Sequence, residues 1–290
     1  MLSDRVLQRL SELNRAPLPV PAREQPPMRK REASLPAGSE AQNACGAHWL
    51  IERPLAALWP AAERVLSWRP PPAAAFGEQG SQPRPDLAVW AEHFPQQTVY
   101  LDLETCGLAG SMVFLAGLIH VRGGELTISQ LLARSYAEES ALLLSLRRMV
   151  AANRVLVTYN GKTFDWTQVR DRSTLHRIDR LAGGAAEAQT APRPSWPEPI
   201  HVDLLHHARR RFRDELPNCR LQTLERFLCG RRRVGDIPGS EIPDAYHAYV
   251  RNGDPSDLKA ILHHNALDLV TLVQVSLMLA REAGDVRLET

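Results

Sequence analysis

Three short acidic motifs in this chain are of the kind that hold a divalent cation. Asp102-Leu103-Glu104 lies in a run where Val99, Leu101 and Leu103 alternate with Tyr100, Asp102 and Glu104. That is the period of a strand, so both carboxylates fall on one face, close enough to share one hard cation. Burying two like charges with no cation between them is costly. Thr105, Cys106 and Gly107 then turn the chain away, which puts the pair at a strand end. Alone, the same DxE also describes two exposed acids.

The second motif is Tyr159-Asn160-Gly161-Lys162-Thr163-Phe164-Asp165. A strand ends, Asn160 and Gly161 permit positive backbone dihedrals at a turn, and Phe164 anchors the next helix so that Asp165 faces the end of the sheet. An ordinary helix cap is the alternative for Asp165. The third motif is His264-Asn265-Ala266-Leu267-Asp268, inside a stripe of Ile261, Leu267, Val270, Leu272 and Val273. Residues four apart on a helix differ by about 40°, residues five apart by about 140°, so His264 rather than His263 shares a face with Asp268. A plain i, i+4 surface pair is the bland version of this motif.

The elements that must position these residues follow from the pattern of apolar side chains. Thr98 to Glu104, Met112 to Val121 and Leu126 to Ala133 read as a three-strand antiparallel meander, with Gly123 and Gly124 at one turn. Glu138 to Val150 has helical spacing, Val155 to Tyr159 is a buried-type strand, and a helix follows from Phe164 to Leu175. The order is βββαβα, an α/β fold with a mixed sheet flanked by helices. Val202 to Arg213, Leu221 to Cys229, Pro243 to Arg251 and Pro255 to Ala283 read as further helices, the last with Asp254 as its cap. The reading divides the chain into a largely irregular Pro-, Ala- and Arg-rich region at 1–95, partly disordered or a docking arm, a main domain at 96–284 with a flexible loop at 183–199, and a tail at 285–290. Within the first region short helices are expected at Ser3 to Leu13 and Leu55 to Ser67, with Trp49 and Ile51 on a strand that docks on the main domain.

DxE on a first strand, NxxxFD after a later one and His four before Asp on a final helix occur here in the order of one known pattern. The chain resembles the DEDD superfamily of 3′–5′ exonucleases, with a ribonuclease H-like fold. Within it, Leu101 to Gly107, Tyr159 to Asp165, His201 to Arg210, Leu221 to Ile242 and His264 to Leu272 resemble the YprB-like ribonuclease H-like family. The resemblance implies that Asp102, Glu104, Asp165 and Asp268 bind two divalent cations, Mg²⁺ or Mn²⁺, for phosphodiester hydrolysis, with His264 acting on the attacking water. The three-residue spacing between His264 and Asp268 is that of the superfamily's tyrosine branch. His263 satisfies the count of the histidine branch and is kept as the second candidate. The resemblance further implies a nucleic-acid substrate, DNA or RNA with a single-stranded 3′ end, and a helicase as a candidate partner. A nucleic-acid-binding scaffold of low activity is the alternative.

Net charge is only +2, so affinity for a polyanion rests on local clusters. Arg209, Arg210 and Arg211, with Asn160 and Lys162, are the candidates for contacting the strand, while for either arginine cluster alone, this one or Arg231 to Arg233, a solvated face is the favoured reading. Four cysteines without CxxC spacing argue against a zinc ribbon or a disulfide framework, and His201, His206 and His207 lack the partners of a zinc site. No apolar run reaches the roughly 18 residues of a membrane span, and the expectation is a cytoplasmic protein without a membrane partner.

Overall fold

In the computed structural model, residues 35–76, 85–108, 110–181 and 196–285 are described. They hold seven strands: β1 (Ser39–Asn43), β2 (Gly46–Pro54), β3 (Thr98–Thr105), β4 (Val113–Arg122), β5 (Glu125–Leu132), β6 (Val155–Thr158) and β7 (Ile200–Asp203). One sheet joins them in the order β1-β2-β5-β4-β3-β6-β7. β3 is antiparallel to β4 and parallel to β6, and β7 extends the parallel edge. The expected meander is β3-β4-β5. Gly123 and Gly124, with φ of 58° and 85°, form its two-residue turn, a conformation in which glycine meets no side-chain penalty. The helices are α1 (Ala62–Val65), α2 (Pro85–His93), α3 (Glu139–Ala151), α4 (Asp165–Leu175), α5 (Leu204–Phe212), α6 (Leu221–Leu228), α7 (Ile242–Asn252) and α8 (Leu258–Asp285).

The sheet is covered on both sides. Val99, Leu101 and Leu103 of β3 pack with Leu142, Leu146, Trp166 and Tyr246 from α3, α4 and α7. Tyr100 points the other way, into a core built with Trp90, Phe212, Leu224 and Val273 from α2, α5, α6 and α8. Alternation along β3 therefore sends Asp102 and Glu104 to the same side as Tyr100, whose hydroxyl lies 2.7 Å from Ser276 Oγ on α8.

Several expectations need correction. Part of the Pro-rich region is sheet: β2 runs beside β5 from Trp49 opposite Leu132 to Pro54 opposite Thr127. The expected docking strand at Trp49 and Ile51 is there. The helix expected over 55–67 is a 3-10 turn at Leu55–Ala57 followed by α1, because Pro60 interrupts the backbone ladder. Residues 202 and 203 end β7 rather than starting a helix; Asp203 caps α5 by accepting a hydrogen bond from Leu205 N at 3.1 Å. The last helix begins at Leu258, and Asp254 instead closes a turn on Ser256 N at 3.0 Å. The expectations for Ser3 to Leu13, for most of the 183–199 loop and for the tail lie outside the described residues.

A buried acid locks α3 to the sheet. Glu139 accepts from Val113 N and from Arg172 Nε, each at 2.8 Å, and lies 2.7 Å from His176 Nε2. Burial by itself raises the Glu139 pKa, but bonds from Arg172, the Val113 amide and His176 outweigh it and hold the carboxyl below the ordinary glutamate range. A depressed pKa gives stability that is present above the unfolded-state value and is lost as pH falls through the folded one. Glu139→Ala is therefore expected to cost about 3 kcal/mol at neutral pH. The deficit relative to the parent should shrink as pH falls below about 4, where the unfolded-state glutamate takes up a proton before the folded one does. Urea melts at both pH values check this; an equal deficit at both would refute the ionised role.

Candidate active site

The end of β3 meets α8 in a row of residues that crosses three strands. Asp102, Gly117 and Gln130 stand side by side on β3, β4 and β5. Asn265 of α8 sits over this row. Its Nδ2 donates to the Asp102 carbonyl at 3.1 Å and to Asp102 Oδ2 at 2.8 Å, and its Oδ1 accepts from Gln130 Nε2 at 2.9 Å. Gly117 makes this closeness possible, since a Cβ there would lie 2.0 Å from Asn265 Oδ1 and 2.8 Å from Leu269 Cδ1. One turn on from Asn265, Asp268 reaches the same place.

The turn after β6 brings in Asp165. Asn160 takes the left-handed conformation with φ of 64°, as the motif suggests. Gly161 serves a different purpose from the one expected: a Cβ there would lie 2.3 Å from Thr158 Oγ1, so closeness to β6 excludes a side chain. Asp203 fastens the turn by accepting from Asn160 N at 2.8 Å and Lys162 N at 3.1 Å. The cap position of α4 is Phe164, with no side-chain cap bond. The backbone amides of Asp165 itself and of Leu103 hold its carboxyl down against burial.

Four carboxylates on three elements thus face one another, and their electrostatics record it. Burial lifts Asp102 well above the usual carboxylate range, and the charges of Asp268, Glu104 and Asp165 lift it further. Glu104 is raised by burial, then by Asp268, Asp165 and Asp236, against the pull of Arg233. Asp165 is pushed up to about 7, chiefly by burial. Asp268 is raised by burial, with Arg233 and His264 opposing. Four acids that resist ionising together form an oxygen-only donor set suited to hard divalent cations, whose charge would remove the penalty. Among the described residues no group of three or more His, Cys, Asp or Glu side chains is placed, as it stands, to hold a metal ion. The cation that Asp268 meets here is the guanidinium of Arg233.

Arg233 also pairs with Glu225 at 2.6 Å and with Asp236 at 3.0 Å. Asp236 in turn holds His264, with 3.0 Å from Nδ1 to each carboxylate oxygen, while His264 Nε2 lies 3.5 Å from Asp268 Oδ2. His264 is buried and His263 exposed, so the structure brings His264 and not His263 to the cluster. Arg231 pairs with Glu225 at 3.2 Å. The reading of Arg231 to Arg233 as a solvated face fails for Arg231 and Arg233, because Glu225 and Asp236 draw them inward.

Sequence reasoning missed Gly117, Gln130, Asn265, Glu225, Arg233 and Asp236. A glycine inside an apolar strand run is a signal of close approach and was available for Gly117; the others depend on partners distant in sequence. Of the basic candidates, Arg209 and Arg210 are exposed and line a surface cavity of about 680 Å³ with Arg213, Asn218 and Cys219. Tyr159 ties that cavity to the Asp165 turn by donating to the Cys219 carbonyl. Arg211 instead pairs with Glu215, and Lys162 is exposed on the turn. His201 bonds Thr158 at 2.7 Å and His207 bonds Asp86 at 3.0 Å, so neither is poised for zinc.

A mixed sheet whose central strand ends in paired acids, with helices on both faces, defines a ribonuclease H-like α/β protein. Residues 99–279 match the RNase_H superfamily, and the chain belongs to it. It is 37% identical over 186 residues, 63% of its length, to the uncharacterized protein YprB of Bacillus subtilis (strain 168), and spans only 42% of that protein. It is also similar, at 15% identity and a TM-score of 0.41, to the family B DNA polymerase of the hyperthermophilic archaeon Pyrobaculum calidifontis, over 69% of this chain and 25% of that one. No helix among the described residues is long and apolar enough to cross a membrane.

Proposed function

We propose that the chain is a DEDD-type 3′–5′ exonuclease in which Asp102, Glu104, Asp165 and Asp268 hold two divalent cations, Mg²⁺ or Mn²⁺. The convergence of four mutually repelling carboxylates from β3, α4 and α8 carries this reading. Bound there, the cations supply Lewis-acid charge for in-line hydrolysis of a phosphodiester. The chain's own part is positional. Asn265 fixes one oxygen of Asp102, and the Leu103 amide fixes Asp165. Asp236, accepting from His264 Nδ1, leaves Nε2 as the basic nitrogen on the Asp268 side, where it takes the proton of the attacking water. Arg209 and Arg210, beside the Asp165 turn, hold the backbone of the strand.

End-labelled single-stranded DNA and RNA, with 3′ or 5′ ends blocked in turn, test the proposal: Mn²⁺ should support stepwise loss from a free 3′ end, and EDTA should stop it. Absence of cleavage on every substrate, with binding retained, would instead favour a scaffold. Arg209→Ala/Arg210→Ala is expected to weaken oligonucleotide binding and to lower the slope of log K against log salt by about 1.4, at roughly 0.7 per phosphate contact. An unchanged slope would remove these arginines from the strand path.

A further inference from the structure

Beyond the acid cluster, α6 and the segment after it form a second basic cavity, of about 290 Å³, that the proposed activity does not use. Arg226, Arg231, Arg232 and Arg233 line it together with the acids Glu225 and Asp236. Both acids already face arginines: Glu225 pairs with Arg231 and Arg233, and Asp236 with Arg233. Arg226 and Arg232 are exposed and form no ion pair with the described residues, which leaves the cavity with uncompensated positive charge. Next to Arg226 the ring of Phe227 is 52% exposed, an unusual position for a phenylalanine, and the Arg226 guanidinium lies 5.5 Å from its centroid. Arg233 belongs to both places, since it lines this cavity and also pairs with Asp268.

We propose that this cavity is a subsite for single-stranded nucleic acid, in which Arg226 and Arg232 take a phosphate neighbouring the scissile one and Phe227 stacks a base. It rests on the nuclease reading only for the identity of the strand. Positive charge one side chain from the acid cluster selects a polyanion that enters both sites. The exposed ring beside it selects one that carries flat bases, the pairing of groove and aromatic platform by which single strands are held.

The test is fluorescence anisotropy of a labelled oligothymidylate in EDTA, so that binding is read whether or not the acid cluster cleaves. Arg226→Ala/Arg232→Ala is expected to weaken binding about tenfold at moderate salt and to lower the salt slope by about 0.7, the value for one phosphate contact. Phe227→Ala should weaken oligothymidylate about fivefold or more, yet leave inorganic polyphosphate binding alone. Unchanged affinity and slope in the arginine variant would overturn the subsite, and an equal loss of polyphosphate in Phe227→Ala would overturn the stacking. Failure of the nuclease reading shows separately, as wild-type protein that binds the oligonucleotide in EDTA but does not cleave it with Mn²⁺.

Discussion

Asp102→Asn is expected to reduce Mn²⁺-dependent cleavage by roughly three orders of magnitude or more while making the metal-free protein more stable. The two effects have one origin. Burial and the charges of Asp268, Glu104 and Asp165 all disfavour the Asp102 carboxylate, so in the absence of cations it is a cost to the fold. The amide keeps the shape and can still accept from Asn265 Nδ2, so the α8 contact at 2.8 Å survives. Removing one negative charge should raise the thermal midpoint in EDTA by about 2–4 °C, the shift that about 1 kcal/mol gives a domain of this size. Added Mn²⁺ should then raise it less than in the parent, because stabilisation by a ligand scales with its affinity for the folded state. Melting curves with EDTA and with Mn²⁺, read beside the cleavage rate, check both halves. Wild-type cleavage in this variant would remove Asp102 from the reaction, and a large fall in the EDTA midpoint would show that the charge supports the fold.

That stability should rise on losing a functional residue separates what the sequence makes legible from what it does not. The three acidic motifs are local: DxE on an alternating strand, an Asp after a Gly turn and His264 in helical phase with Asp268 can each be placed from spacing alone. The meander, α3, β6 and α4 follow from periodicity in the same way. Residues that make the acids into a site are held by partners far along the chain. Asn265 bonds Asp102 163 positions away and Gln130 135 positions away. Arg233 reads as one of three surface arginines until the fold sets it against Glu225 and Asp268. β2 is legible only as a short strand at Trp49 and Ile51, for a related reason: its length and its pairing with β5 depend on residues far along the chain.

Gly117→Ala carries the second large effect, from a position with no chemistry of its own. A real Cβ essentially never comes within 3.0 Å of another heavy atom, yet one at Gly117 would lie 2.0 Å from Asn265 Oδ1, 2.7 Å from its Cγ and 2.8 Å from Leu269 Cδ1. Asn265 has little freedom to move aside, being bonded to Gln130 on β5 and to Asp102 on β3. Relief therefore requires α8 to lift from the sheet, and α8 carries His264 and Asp268. Overpacking of this kind is expected to cost about 3 kcal/mol, and a displacement of about 1 Å at the reacting groups about 10²-fold in cleavage rate. A double-mutant cycle with Asn265→Ala identifies the cause: with the amide removed, the methyl at position 117 meets mainly Leu269, so the two losses should sum to more than the double variant shows. Urea melts of the four proteins measure the coupling, and additive losses would mean that the glycine is not what lets Asn265 reach Asp102.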